Sequence, residues 1–453
     1  MRGIRIVLGL LALAASAAAF AAPPFAPAAA GERAVYRGAT LIDGTGGAPR
    51  PDMAVITNGE RIEAVLPVAR LTPAMTQGAR IVDVSGRYLL PGLIDSHQHR
   101  ATPPVRRAAE ARMRRDLYSG ITAARIMADD LRLIAELARE SRAGEIAGPD
   151  LAFAALVAGR SFFNDPRVGA VSAGYVPGEA PWAQAIDAQT NLPLAIARAR
   201  GTGAAAVKIY ADLPPDLVRR IAAEAHRQGL RVWAHAMVFP TPPDQVIAAG
   251  PDVISHTCYL AYQLSDHPPQ TYGQRFAVDP APFAHGDNAV LAGLYRQMRE
   301  RGILLDATLT VYAEIERRAT PQRPPHCTLD LAARMTAQAH RAGVLISAGT
   351  DADTPLAEPY PSLFGEMELL VARAGFTPLE AIGAATRIGA MAMGQGQERG
   401  TIAAGYFADM VVLERDPAAD IANMRSVLMV VKRGHRLARA DYHPTDIEGL
   451  DDE

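Results

Sequence analysis

The run LLPGLIDSHQHR, residues 89–100, begins apolar and ends in two histidines. Its first half has the continuous hydrophobic character of a strand covered on both faces. Its end sets His97 and His99 two residues apart, so on a strand both imidazoles face one side, about 7 Å apart along the backbone. The same grammar, an apolar run closed by polar residues, then recurs along the chain. It returns in ITAARIM (121–127), LAFAALVA (151–158), AAVKIY (205–210), RVWAHA (231–236), DVISH (252–256), ILLDATL (303–309) and VLISAGT (344–350). Between these runs lie helical stretches such as DLVRRIAAEAHRQG (216–229), with an aspartate at its start and a glycine at its end.

Eight strands alternating with helices predict an α/β fold, a (β/α)8 TIM barrel spanning residues 89–399. The flanks read differently. Residues 33–88 alternate polar and apolar positions in AVYRGATLI, MAVITNGERIEAV and RIVDVSGRYL, and Asn58-Gly59 is a hairpin signal. Alternation returns within 400–440, in FADMVVLERD and RSVLMVVKRGHRL. A small β-sandwich built from both chain ends, with the barrel inserted in it, accounts for that symmetry. No solenoid-type repeat is present.

With 453 residues, 49% hydrophobic and 21% charged, the chain can bury a large core. The formal net charge is −2 and no basic block occurs, which argues against nucleic acid and for a small-molecule substrate. The amino terminus carries Arg2 and Arg5, an apolar run and Ala19-Phe20-Ala21, the plan of a signal peptide over residues 1–21 cleaved before Ala22. The expected location is therefore periplasmic or secreted, with no stable membrane anchor once the signal is removed. An uncleaved anchor is the second reading. Residues 22–32 read as a flexible leader. The two cysteines, Cys258 and Cys327, are expected to be separate free thiols, with a disulfide as the alternative. An oligomer is left open.

Barrel enzymes carry their chemistry at the carboxyl ends of the strands. The polar residues ending these runs are His97 and His99, Lys208, His235, His256 and Asp351. Four of 11 histidines at equivalent strand ends outline a metal pocket. Lys208 stands out further, because the 46 basic residues include lysine only at 208 and 432. Lysine can lose its proton and react, whereas arginine stays charged. Lys432, in an alternating strand, is read as solvated.

Long loops follow the third and sixth runs, at 159–182 and 257–276. Their aromatics Phe162, Phe163, Tyr175, Trp182, Tyr259 and Tyr262 either line an apolar cleft or pin the loops. Arg160 and Arg125 are the candidate grips for a substrate carboxylate, with Tyr259 as a further substrate-binding residue. Arg100 is expected to point away from the metals by strand alternation. His226, His267, His285, His326 and His340 are counted as surface or supporting residues.

PGLIDSHQH (91–99), VKIY (207–210), WAHA (233–236), ISH (254–256) and SAGTD (347–351) together resemble the metal-dependent amidohydrolase superfamily. LIDGTGG (41–47), GTIAAGYFADMVVLERDP (400–417) and MVVKRGHRL (429–437) extend the resemblance to its split β-sandwich. The lysine in the fourth strand is similar to that of the binuclear branch related to Xaa-Pro dipeptidases and imidazolonepropionase. The resemblance implies that Lys208 has added carbon dioxide and bridges two divalent ions as a carbamate. His97, His99 and Asp351 would hold one ion, and His235 and His256 the other. A metal-bridging hydroxide would be the nucleophile, with Asp351 as general base and then acid. Zinc suits so imidazole-rich a site, and manganese or cobalt fit the same ligands. The alternative for Lys208 is an ammonium paired with Asp351 or with a substrate carboxylate. The implied activity is that of an exported hydrolase of the C–N amide bond of a dipeptide or N-acyl amino acid. Hydrolysis of a cyclic amide, a lactone or a phosphotriester, or a non-catalytic metal- or ligand-binding barrel, are the other readings.

Overall fold

Buried on every residue, the strand Leu93–Gln98 starts a parallel series, and a computed structural model describes it within residues 22–444. The expected signal peptide, residues 1–21, lies outside the described residues. We label the barrel strands β1 (Leu93–Gln98), β2 (Ile121–Met127), β3 (Asp150–Ala158), β4 (Ala206–Ile209), β5 (Arg231–His235), β6 (Val253–Ser255), β7 (Leu304–Asp306) and β8 (Ile346–Ser347). Each pairs in parallel with the next. The ring closes from β8 to β1 through the Ser96 amide, which donates to the Ala348 carbonyl at 2.9 Å. All eight strands fall on the runs expected from the sequence. They are apolar throughout because one face fills the barrel and the other is covered by helices. The helix Pro215–Arg227 shows how such a cover forms: Asp216 sits in its first turn and it buries Leu217, Val218, Ile221, Ala222 and Ala225.

The amino-terminal end of the barrel is plugged by Trp233, Leu304 and Val253, together with Ile388 and Ala390 from the turns after β8. At Gly389 a Cβ would stand 2.9 Å from that of Ile94, so only glycine lets this plug close on β1.

Both chain ends share a second, mostly antiparallel sheet. Strands Arg50–Asn58 and Arg61–Pro67 form the hairpin that Asn58-Gly59 signals, with Gly59 at φ +56°. The strand Tyr88–Pro91 runs parallel to Arg33–Leu41 and antiparallel to Met410–Leu413, which ties the two ends together beside β1. Among the described residues no helix is long and apolar enough to cross a membrane.

Lys432 departs from expectation. It ends the strand Val427–Lys432 but is buried, with Nζ 3.1 Å from Asp150 Oδ1 and donating to the carbonyls of Ser141 (2.9 Å) and Gly148 (2.8 Å). Alternation gives the face on which Lys432 lies, and the barrel, rather than water, covers that face. Arg399 and Arg433 also contact Asp150, at 2.6 and 2.8 Å. Burial opposes the charge on Asp150, but Lys432, Arg399 and Arg433 hold its pKa far below the usual carboxylate range.

Candidate metal centre and substrate cleft

The carboxyl ends of the strands bring the six sequence-derived candidates to one place. β1 delivers His97 and His99, β4 delivers Lys208, and β5 delivers His235, while His256 and Asp351 directly follow β6 and the SAGT turn after β8. His256 and Asp351 both adopt positive φ, +73° and +49°, a cost retained where geometry has a use. Asp351 is the hub. Its Oδ1 lies 3.5 Å from His97 Nε2 and 3.1 Å from His99 Nε2, and its Oδ2 lies 3.8 Å from His256 Nδ1. The rings of His97 and His256 are 5.0 Å apart, and those of His256 and His235 are 4.8 Å apart.

Two carboxylates that the sequence reading does not single out orient the β1 histidines. Asp306, which ends β7, is 2.7 Å from His97 Nδ1, and Asp129, just past β2, is 3.2 Å from His99 Nδ1. Each Nδ1 facing a carboxylate carries a proton, so Nε2 is the nitrogen that an ion bound beside Asp351 would take, His99 giving up its second proton to it. Asp129 is itself fixed by the Ala101 amide at 2.9 Å and by the Thr102 hydroxyl.

The residues fit a cation. Ligand atoms of His97, His99 and Asp351 all lie within 4.8 Å of one another, a group that can hold a metal ion. His235 Nδ1 is buried with no hydrogen-bond partner, an unusual state for an imidazole nitrogen. Burial opposes charge on His99, but Asp129 and Asp351 raise its pKa to about 10, so a proton there supplies the positive charge that the two carboxylates demand. Burial works against the Asp351 carboxylate, yet His97, His99 and His256 keep its pKa far below the usual range. His235 and His256 are pushed well below their ordinary value, chiefly by burial, and stay neutral.

Lys208 is fully buried, and among the described residues its one hydrogen bond goes to Ser255 Oγ at 3.1 Å. Burial pushes its pKa down to about 7, with Asp306 opposing and Arg125 reinforcing the shift. The amine is thus held near neutrality between ligands of both groups.

Arg125 and Arg160 do not reach the cleft. Arg125 is fully buried inside the barrel, 4.4 Å over the Trp233 ring and 3.6 Å from Asp306 Oδ2, because its place in the middle of β2 points it into the barrel below the mouth. Arg160 is exposed in the turn Arg160–Asn164, on a shallow surface with Ser161, Phe163 and Pro177. Tyr259 does line the cleft, 5.4 Å ring to ring from His256. Arg100 is bonded to Asp116 and Asp353, both at 2.8 Å, and donates to the His99 backbone carbonyl at 3.2 Å, so its charge is taken up by carboxylates away from the imidazoles, as alternation predicts.

A cavity of about 670 Å³ opens over Asp351, His99 and His256. Its apolar wall includes Phe162, Val168, Val171, Val311 and Ile315, and its polar wall includes Tyr210, Tyr272, Arg167, Arg275 and His326. The aromatics split: Phe162 and Tyr259 line the cavity, Phe163, Trp182 and Tyr262 are buried beside it, and Tyr175 is exposed against Trp182. His326, counted with the loop histidines, is part of the wall. Tyr210 was legible as the neighbour two positions from Lys208, whereas Arg167, Tyr272 and Arg275 lie in irregular loops with no periodic signal.

The cysteines also differ from expectation. Cys258 and Cys327 form a disulfide, with Cα atoms 6.3 Å apart across 69 residues of sequence. Each follows or precedes a loop on the active face, and the bond fastens the turn Thr257–Leu264 to the segment carrying His326. Separation in sequence hides that proximity.

The chain belongs to the amidohydrolase family, matched over residues 88–437. It is a hydrolase acting on carbon–nitrogen bonds, and the family generally uses divalent metals. No curated protein matches it. Solved structures of the same fold include A. niger ochratoxinase, with a TM-score of 0.72 and 22% identity over 92% of this chain and 98% of that one. A Xaa-Pro dipeptidase with bound methionine in the active site gives 0.70 and 19% identity over 90% and 100%. A prolidase complexed with N-methylphosphonate-L-proline gives 0.67 and 22% identity over 90% and 100%. At these identities the likeness establishes the fold.

Proposed function

We propose that this chain is an exported, metal-dependent amidohydrolase that cleaves the amide bond of a dipeptide or an N-acyl amino acid. The observation that carries the reading is the convergence of His97, His99, Lys208, His235, His256 and Asp351 at the carboxyl ends of the barrel strands, where His99, His256 and Asp351 line the cavity and the buried Nδ1 of His235 is left without a partner. His97, His99 and Asp351 would hold one divalent ion, His235 and His256 a second, and Lys208 would join them as a carbamate. The ions, zinc given the imidazoles, would polarise the scissile carbonyl and acidify water.

The residues do the rest. Asp351, ionised at neutral pH, takes the proton of the attacking water and returns it to the leaving nitrogen, since its carboxylate is the acceptor that faces the cavity. Asp306 and Asp129 keep the β1 imidazoles in one tautomer and one orientation. Lys208 has the neutral amine that addition of carbon dioxide requires: its nitrogen bonds to the carbon and releases a proton to leave a carboxylate. The apolar wall of Phe162, Val168 and Ile315 excludes water from the acyl side. Export is supported by the amino-terminal pattern and by the Cys258–Cys327 disulfide, a bond that persists in oxidising compartments.

Metal content is the direct test. Protein purified without chelator in bicarbonate buffer should contain close to two divalent ions per chain by inductively coupled plasma mass spectrometry. It should also hydrolyse members of a dipeptide and N-acyl amino acid panel in preference to cyclic imides and lactones. No bound metal after zinc is resupplied would overturn the reading.

A further inference from the structure

Three arginines line the cavity, and they differ in what they touch. Arg167 is bonded to Asp165 through two nitrogens, at 3.0 and 2.7 Å. Arg318 pairs with Glu314. Arg275 has no ion-pair partner within 4.0 Å among the described residues. Its Nε donates to the Tyr272 carbonyl at 2.8 Å, a terminal nitrogen donates to the Tyr259 hydroxyl, and its guanidinium lies 3.4 Å from the Tyr272 ring centroid. It is a cation held rigidly at the edge of a cavity, with no acid in contact: the nearby Asp165 is taken by Arg167.

We infer that Arg275 anchors a free carboxylate one residue beyond the scissile amide, so that the substrates are N-acyl amino acids and dipeptides with an unblocked carboxyl terminus. This rests on the amide-hydrolase reading above, and it assigns to a residue of the loop after β6 the role that Arg125 and Arg160 cannot fill.

The geometry supports the spacing. The Tyr272 ring is 6.0 Å from the His235 ring, and the Tyr259 ring is 5.5 Å from His235 and 5.4 Å from His256. The guanidinium therefore stands one aromatic ring away from the candidate metal ligands. An extended residue covers about 3.3–3.6 Å, and a charge-assisted N–H···O bond adds about 2.8 Å. A carbonyl at the ligands and a carboxylate at Arg275 are then separated by one residue. A guanidinium already fixed by stacking and two hydrogen bonds loses little freedom when it binds a planar carboxylate. His326 completes the corner, with its ring 5.8 Å from that of Tyr259, and burial with help from Arg275 holds its pKa down to about 4. It is neutral at pH 7 and leaves Arg275 as the corner's charge. The disulfide beside Tyr259 and the Val278 amide, which donates to the His326 carbonyl at 2.8 Å, keep this frame together. The opposite wall, with Phe162, Val168, Val171, Val311 and Ile315, selects an apolar acyl group.

The test compares N-acetyl-L-phenylalanine with its carboxyl-terminal amide, in the wild type, Arg275→Gln and Arg275→Lys. Hydrolysis is measured on metal-loaded protein, and binding is measured by calorimetry on metal-free protein. The wild type should favour the acid by roughly 10- to 100-fold in KM and Kd, the worth of a charge-assisted pair. Arg275→Gln should weaken the acid far more than the amide, through KM rather than kcat, and Arg275→Lys should recover part of the loss. Thermal melting of each variant separates a lost contact from a lost fold. Equal treatment of acid and amide by the wild type, or an equal loss for both in Arg275→Gln, overturns the anchor. If neither compound is hydrolysed but acid binding still weakens in Arg275→Gln, the anchor stands and the amide-hydrolase reading falls. If neither is bound or hydrolysed, the anchor falls with the substrate class.

Discussion

The chain holds two lysines, one at each end of the barrel, and the contrast between them separates chemistry from architecture. Both are buried. At the seam with the terminal sheet, Lys432 has a carboxylate at 3.1 Å and three further acceptors, so its charge is answered in full. At the mouth, Lys208 has one hydroxyl at 3.1 Å and, among the described residues, no ion pair within 4.0 Å. Burial lowers the pKa of both; at Lys432 the charge of Asp150 and a direct hydrogen bond to it pull back against it, while at Lys208 the pull of Asp306 is set against the push of Arg125. A buried lysine with complete partners is a rivet. One without them is held ready to be neutral, and that is the state in which an amine reacts.

The largest expected effect breaks the mouth alone. Lys208→Ala should lower kcat/KM by about a thousandfold or more and reduce bound metal, while the metal-free protein keeps or gains thermal stability because an unsatisfied buried amine is gone. Lys208→Arg should not rescue, since a guanidinium cannot become neutral. Kinetics with metal analysis checks this, and retention of both metal and activity in Lys208→Ala would erase the distinction between the lysines. The reciprocal variant acts at the seam. Lys432→Met leaves Asp150 facing Arg399 and Arg433 but opens the anchor to Ser141 and Gly148, and should cost about 3 kcal/mol of stability at unchanged kcat per folded molecule. Urea unfolding monitored beside activity checks it. Between these in kind is Cys258→Ser, which frees the wall that carries His326. It should cost about 2–4 kcal/mol and raise KM more than it lowers kcat, read by melting and steady-state kinetics.

The same contrast shows what could be read in advance. The eight strands and the six mouth residues were legible because barrel strands are continuous apolar runs whose last polar side chain must face the active end. Asp306 ends the seventh run in that same register, so the rule that finds Lys208 finds it too once applied to ILLDATL. Lys432 was illegible for a different reason. Alternation says which face a side chain takes and nothing about what covers that face, and here the cover is the start of β3. The disulfide and Arg275 depend on loops meeting across the mouth, and no local period encodes such a meeting. The two arginines proposed for the carboxylate failed on depth. Arg125 sits too far down β2, and Arg160 too far out on its turn.

The smallest expected effect sharpens the comparison by titration. In metal-free, bicarbonate-free protein, Lys208 has a folded pKa of about 7 against about 10.4 in the unfolded chain. Between those values the unfolded state binds the extra proton at this residue, so the contribution of Lys208 to stability rises with pH. Between pH 7 and 8 the wild type should gain about 1 kcal/mol relative to Lys208→Met, a difference that cancels the opposing slope of His99, whose proton is held to about pH 10 in both proteins. Lys432→Met should leave that slope in place, because Lys432 keeps its proton against Asp150 in the folded state. Equal slopes in the wild type and Lys208→Met would mean that the amine at the mouth is charged like the one at the seam. Any reactivity of Lys208 would then have to be conferred by a ligand bound at the mouth and not by the fold.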